Sequence, residues 1–158
     1  MRLAEHEIGK SSGEVVLVID DDQAVCGSLK FSLEIEGFDV RTYGSAAEIL
    51  RATDIPIQGC MIIDYHLPGV NGLDLLHQLK ARQVRLPALL ITTQPTSTVR
   101  RRAHCVGVAI IEKPLLNNAL SDTVREIFSR CVQGAPPYTN APGLRPVASG
   151  YRSYAARA

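Results

Sequence analysis

Four short apolar runs in this chain each end on polar residues that could do chemistry. Residues 15–19 lead into Asp20-Asp21-Asp22, residues 60–63 into Asp64, residues 88–91 into Thr92-Thr93, and residues 108–111 into Glu112-Lys113-Pro114. Brought to one place, Asp20, Asp21 and Asp64 would repel one another unless a hard cation sat among them, and oxygen-only donors favour Mg²⁺ or Mn²⁺. The Lys113 ammonium would supply a second compensating charge. Alone, the aspartate triplet has a plainer use, because acids at a helix N-terminus complement its dipole. Asp22 in particular reads as a cap, accepting from first-turn amides. It is the coincidence of four polar run ends that singles out a site.

The elements that must position these residues are legible from periodicity. The runs are short, continuous and rich in β-branched residues, as strands buried on both faces are. Residues 38–41 alternate apolar and polar, which predicts an edge strand. Val25, Leu29 and Leu33 mark a helix ending before Gly37, and Ser45 to Glu48 has the spacing of a capping box. A third helix starts near Gly72 and carries Leu75, Leu76 and Leu79, and a polar one covers 97–106. A last helix is read from the stripe Leu116, Leu120, Val124, Ile127 and Cys131. Five strands alternating with five helices predict an α/β doubly wound parallel sheet covered on both faces. Ligands bind such sheets outside the carboxyl ends of the strands, where the four polar ends lie.

Composition narrows the class further. Of the 158 residues, 46% are hydrophobic and 21% charged, enough for a packed core. The net charge of +1 divides into a body of −2 over residues 1–130 (14 bases, 16 acids) and +3 over 131–158 (Arg145, Arg152, Arg157, no acid). Neither that total nor the arginine triplet Arg100-Arg101-Arg102 argues for nucleic-acid binding. Cys26, Cys60, Cys105 and Cys131 are too far apart for a CxxC-type metal or redox site and read as free, mostly buried thiols of a reducing cytoplasm. The longest apolar run, Val15–Ile19, is far short of the ~20 residues a membrane span needs. The expected organisation is an N-terminal extension (1–13), one domain (14–131) and a Pro/Gly-rich flexible tail (132–158) with no output domain. Tyr138, Tyr151 and Tyr154 give that tail a second reading, as a segment that docks on a protein surface.

The motifs VVLVIDDD (15–22), MIIDYHLPGVNG (61–72), LLITT (89–93) and IEKP (111–114), in this order and spacing, resemble the receiver domain of two-component response regulators. The resemblance covers about three quarters of the chain. It implies a flavodoxin-like sheet of strand order 2-1-3-4-5 and a cytoplasmic, single-domain response regulator. Such a protein accepts a phosphoryl group from a sensor histidine kinase and signals by protein–protein contact, with homodimerisation through the helix 4, strand 5, helix 5 face. By the same resemblance Asp64 is the phospho-acceptor. Asp20, Asp21, Asp64 and the His66 carbonyl hold Mg²⁺ (or Mn²⁺), Thr92 and Lys113 engage the phosphoryl group, and Pro114 follows a cis bond. His66 and Gln94 would flank the phosphoryl group and tune its lifetime. The chain departs from the family pattern at Ile110, where an aromatic residue usually reports phosphorylation by changing rotamer. Beyond its own phosphorylation and dephosphorylation no enzymatic turnover is expected. The alternatives are an interaction module working without phosphorylation, or a phosphate sink or relay intermediate.

Simple chemistry favours the same roles. Phosphoryl transfer needs in-line geometry and neutralised oxygens more than a strong base. A carboxylate is ordinarily ionised at neutral pH and can serve directly as the nucleophile.

Overall fold

The computed structural model describes residues 13–116 and 118–133. Most of the expected N-terminal extension and tail therefore lies outside the described residues. In chain order the elements are β1 (Val15–Ile19), α1 (Gln23–Ile35), β2 (Asp39–Tyr43), α2 (Ala46–Arg51), β3 (Cys60–Asp64), β4 (His66–Leu67), β5 (Val70–Asn71), α3 (Gly72–Ala81), β6 (Ala88–Thr92), α4 (Ser97–Cys105), β7 (Ala109–Glu112) and α5 (Ala119–Val132).

Five strands pair in parallel in the order β2-β1-β3-β6-β7, the expected 2-1-3-4-5 once the hairpin β4–β5 is set aside. That hairpin was not foreseen; the turn residues 68–69 lie between its two short antiparallel strands. The parallel register sets Ile19 beside Ile63, Asp64 beside Ile91 and Thr92 beside Glu112. The polar run ends consequently emerge along one edge. The chain reverses its direction of travel between β1 and β3, so Asp20 and Asp64 flank the switch point.

Successive strand residues face opposite sides. Leu17, Ile19, Met61, Ile63 and Leu90 join a core with Ile49 of α2 and Leu75 and Leu79 of α3. Val16, Val18, Ile62, Leu89 and Ile91 join a second core with Leu29 and Leu33 of α1 and Val124 and Phe128 of α5. Both faces being covered explains why the central strands read as unbroken apolar runs.

The caps follow the sequence signals. Asp22 accepts from the Ala24 and Val25 amides, and Ser45 Oγ from the Glu48 amide. The Glu48 carboxylate accepts from the Gly44 amide, one residue before the usual partner in a capping box. α1 ends in a paired closure, Gly37 N–H to the Glu34 carbonyl and Phe38 N–H to the Leu33 carbonyl. Gly37 takes the positive φ (98°) that this closure requires.

The last helix is corrected. α5 begins at Ala119, and Leu116, expected on its buried stripe, is 85% exposed in the preceding loop. The Leu116 amide bonds to the Pro114 carbonyl, a tight turn; the helical bond pattern starts only at Asn118, whose carbonyl accepts from Asp122. The buried face is Leu120, Thr123, Val124 and Phe128, and Phe128 stacks on Phe38 with ring centroids 5.7 Å apart. The cysteine expectation is also half corrected. Cys26 and Cys60 are buried, whereas Cys105 and Cys131 are exposed in the last turns of α4 and α5.

α4 buries only Val99 and Ala103. Ion pairs compensate: Arg100 holds Glu112 of β7, and Arg102 reaches Asp74 of α3 at 2.6 Å. The Arg102 hydrogen bond holds the Asp74 carboxyl below the usual carboxylate range. Two of the three arginines are thus spent within the domain, and Arg101 is exposed.

Candidate functional site

Asp20 is the first residue past β1 and is completely buried at 0% exposure. Its amide donates to the Tyr43 carbonyl at 3.1 Å. One carboxylate oxygen, Oδ1, accepts from the Asp22 amide at 2.9 Å, and the other, Oδ2, from Lys113 Nζ at 3.0 Å. Asp64 closes β3 at 5% exposure. Its Oδ1 accepts from the His66 amide at 3.2 Å, and its Oδ2 lies 3.4 Å from Lys113 Nζ. Asp21 is exposed at the rim. Carboxylate oxygens of Asp20, Asp21 and Asp64 all lie within 4.8 Å of one another.

The electrostatics follow from this crowding. Burial, and then the Asp20 charge, push the Asp64 carboxyl above its ordinary value, while Lys113 and the His66 amide pull it part of the way back. Burial disfavours the Lys113 ammonium, but its bond to Asp20 and the nearby Asp64 outweigh this and raise its pKa. One lysine shared by two buried carboxylates leaves an uncompensated negative charge. Three carboxylates within reach of one hard ion and no sulfur or nitrogen donor among them form a set suited to Mg²⁺ or Mn²⁺.

Thr92 ends β6, fully buried, with its hydroxyl donating to the Thr93 carbonyl at 3.4 Å. The Lys113 amide bonds to the Thr92 carbonyl at 2.8 Å, which ties the ends of β6 and β7 together. The Lys113–Pro114 bond is cis. The His66 ring is exposed and packs edge-on against Tyr65. Gln94 is exposed with φ of +44°, a left-handed conformation that costs a non-glycine residue roughly 1 kcal/mol or more. Ile110 lies apart from these groups, buried in the α3-side core.

Three contributors were not singled out from the sequence. The His66 amide, as opposed to its carbonyl, bonds Asp64; nothing in the sequence marks a backbone donor. Gly72, read from the sequence only as the start of the third helix, opens α3 so close to β3 that a Cβ there would lie 2.6 Å from the Asp64 carbonyl oxygen and 2.9 Å from Leu90 Cδ1. Its position directly after a turn, opening a helix beside a catalytic-looking acid, was the available signal. The third is Cys26, whose buried thiol donates to the Asp20 carbonyl at 3.2 Å. Burial and the Asp20 charge push that thiol above its ordinary value.

Comparison with known proteins agrees with this geometry. Residues 16–125 match the response regulator receiver domain. The transcriptional regulatory protein FixJ of Azorhizobium caulinodans is 37% identical over 120 residues, covering 75% of this chain and 56% of FixJ. Full-length FixJ from B. japonicum superposes with a TM-score of 0.68 at 30% identity, covering 76% of this chain and 60% of that one. A CheY-like receiver domain protein from Methanospirillum hungatei shares the fold, with a TM-score of 0.70 at 24% identity over 78% of this chain and 100% of that one. The chain spans about half the length of the curated relatives it matches. By its motifs, its sheet topology and the match of residues 16–125, the chain belongs to the response regulator receiver domain family.

Proposed function

We propose that this domain accepts a phosphoryl group on Asp64 from a sensor histidine kinase and passes the change to a protein partner. The observation that carries the reading is the Asp20–Lys113–Asp64 constellation with Asp21 at its rim. An Asp64 carboxylate oxygen attacks phosphorus, the bond from phosphorus to the donor imidazole nitrogen breaks, and the imidazole leaves as an acyl phosphate forms. Mg²⁺ or Mn²⁺, held by Asp20, Asp21, Asp64 and the His66 carbonyl, supplies neutralisation of the phosphoryl oxygens when bound. Lys113 moves its bond from the Asp64 oxygen to a phosphoryl oxygen. The Thr92 hydroxyl gives up the Thr93 carbonyl for another, drawing the end of β6 inward.

The site floor is buried, while Asp21, His66, Thr93 and Gln94 around it are exposed, which leaves an open approach for the phosphodonor. Beside it lies a groove of about 590 Å³ between α1 and the loop after Lys113, with exposed Leu116 at its lip. A kinase surface carrying the phosphohistidine would seat there. The change is read on the other side of Lys113, on the face of α4, β7 and α5, by a partner or by a second copy of the chain. α4 is suited to that role because ion pairs, more than apolar burial, hold it.

Incubation with phosphoramidate, a small donor with a phosphorus–nitrogen bond, tests the reading. Label should appear with Mg²⁺, be lost in alkali as an acyl phosphate is, and fail to appear when Mg²⁺ is chelated. Alkali-stable label, or equal labelling without metal, would contradict it.

A further inference from the structure

We propose that Cys26 is a positioning residue of this site: its thiol fixes the backbone on which Asp20 and Asp21 are mounted. The inference rests on the metal site proposed above. The Asp20 carbonyl lies one residue beyond β1, past the strand's own residues, and a buried carbonyl of this kind needs a donor from elsewhere. The donor is the Cys26 thiol, reaching back from the first turn of α1 at 3.2 Å. The same residue's amide donates to the Asp22 carbonyl at 3.0 Å. Cys26 therefore closes the Asp20–Asp22 turn twice, once by side chain and once by backbone. With Asp22 capping the helix and its amide bonding Asp20 Oδ1, the turn has few ways left to rotate. A metal site gains affinity when its ligands are held in place before the ion arrives. Removing the thiol hydrogen leaves the Asp20 carbonyl buried without that donor, and the turn carrying Asp20 and Asp21 becomes free to tilt.

Packing and positioning can be separated by two substitutions in the full chain. Cys26→Val keeps an apolar side chain in the α1-side core that holds Cys26 but removes the donor; Cys26→Ser keeps a donor and removes apolar character. Mg²⁺ is titrated calorimetrically, with circular dichroism confirming the fold. Loss of an outer partner of a metal ligand typically weakens binding ~10–100-fold, and a thiol is a weak donor, so Cys26→Val should weaken Mg²⁺ roughly three- to tenfold. Cys26→Ser should stay within about twofold of wild type. Should valine fit poorly, Cys26→Ala carries the same expectation. Wild-type Mg²⁺ affinity in the folded valine or alanine variant overturns the positioning role. A wild-type chain that takes up no Mg²⁺ overturns the metal site itself, and this inference with it.

Discussion

Asp64→Asn should make the metal-free domain more stable while removing the group on which the proposed chemistry depends. Asp64 is nearly buried, with an Asp20 carboxylate oxygen within 4.8 Å and Lys113 Nζ at 3.4 Å. At an effective dielectric of ~20, repulsion across 4.8 Å is about 3.5 kcal/mol and attraction across 3.4 Å about 5 kcal/mol. Attraction exceeds repulsion by only about 1.5 kcal/mol. The cost of taking a carboxylate out of water, several kcal/mol, then decides the balance, which is why the Asp64 pKa is raised. Asparagine keeps an oxygen for the His66 amide, carries no charge, and leaves Lys113 to Asp20 at 3.0 Å. Its amide nitrogen facing the ammonium returns part of the gain, leaving a net stabilisation of about 1–2 kcal/mol at neutral pH.

The pH dependence is a second, independent signature of the same cause. A raised carboxyl pKa gives stability that is complete below the unfolded value of ~4 and is lost as pH rises through the folded value. The advantage of asparagine should therefore be larger at neutral pH than in acid, shrinking on acidification as wild-type Asp64 becomes neutral itself. Urea unfolding of both proteins in chelator, at neutral and mildly acidic pH, measures it. Saturating Mg²⁺ should then favour wild type, since a ligand at ~100 times its Kd adds about 2.7 kcal/mol to the protein that binds it. An asparagine variant less stable than wild type in chelator at neutral pH, or an advantage that grows with acid, would refute the reasoning.

Other expectations follow from the same structure. Gly72→Ala forces a methyl against the Asp64 carbonyl and should cost about 1–3 kcal/mol in urea unfolding. Gln94→Gly relieves a left-handed backbone and should add about 0.5–1 kcal/mol; exchange of Gln94 or His66 should also change the acyl-phosphate half-life, which labelled-phosphate decay measures. Lys113 has a raised pKa, so its stabilisation is complete below the unfolded value of ~10.4 and is lost as pH rises past the folded value; Lys113→Met should abolish that alkaline step in a pH series. Arg102→Ala should cost at most about 1 kcal/mol, as exposed pairs do, yet speed amide exchange throughout α4, which has little apolar burial to hold it.

The candidate site residues were legible because side-chain chemistry and topology leave separate marks. Each polar residue sits at the end of an apolar run, and a parallel sheet brings run ends together whatever lies between. The cap at Asp22, the parallel sheet and the start of α3 were similarly readable, being set by local chemistry and by the rule that parallel strands need crossovers, whereas the strand order came only with the family resemblance. What escaped was set by distance in space. Gly72 is demanded by the Asp64 carbonyl eight residues earlier, across a hairpin too short to announce itself by periodicity. Cys26 reads in the sequence as an ordinary core residue; only the fold turns its thiol to the Asp20 carbonyl. Leu116 fitted the spacing of the last helix, but the turn at Pro114 interrupts the chain first. Arg100 and Arg102 could not be told from a solvated face until Glu112 and Asp74 were brought opposite them.

The central claim, that Asp64 is the phospho-acceptor of this domain, is tested most directly by intact mass. Wild type and Asp64→Ala are each incubated with acetyl phosphate and Mg²⁺. Wild type should gain the mass of one phosphoryl group and Asp64→Ala none. No gain on wild type, or a gain that survives Asp64→Ala, would contradict the account.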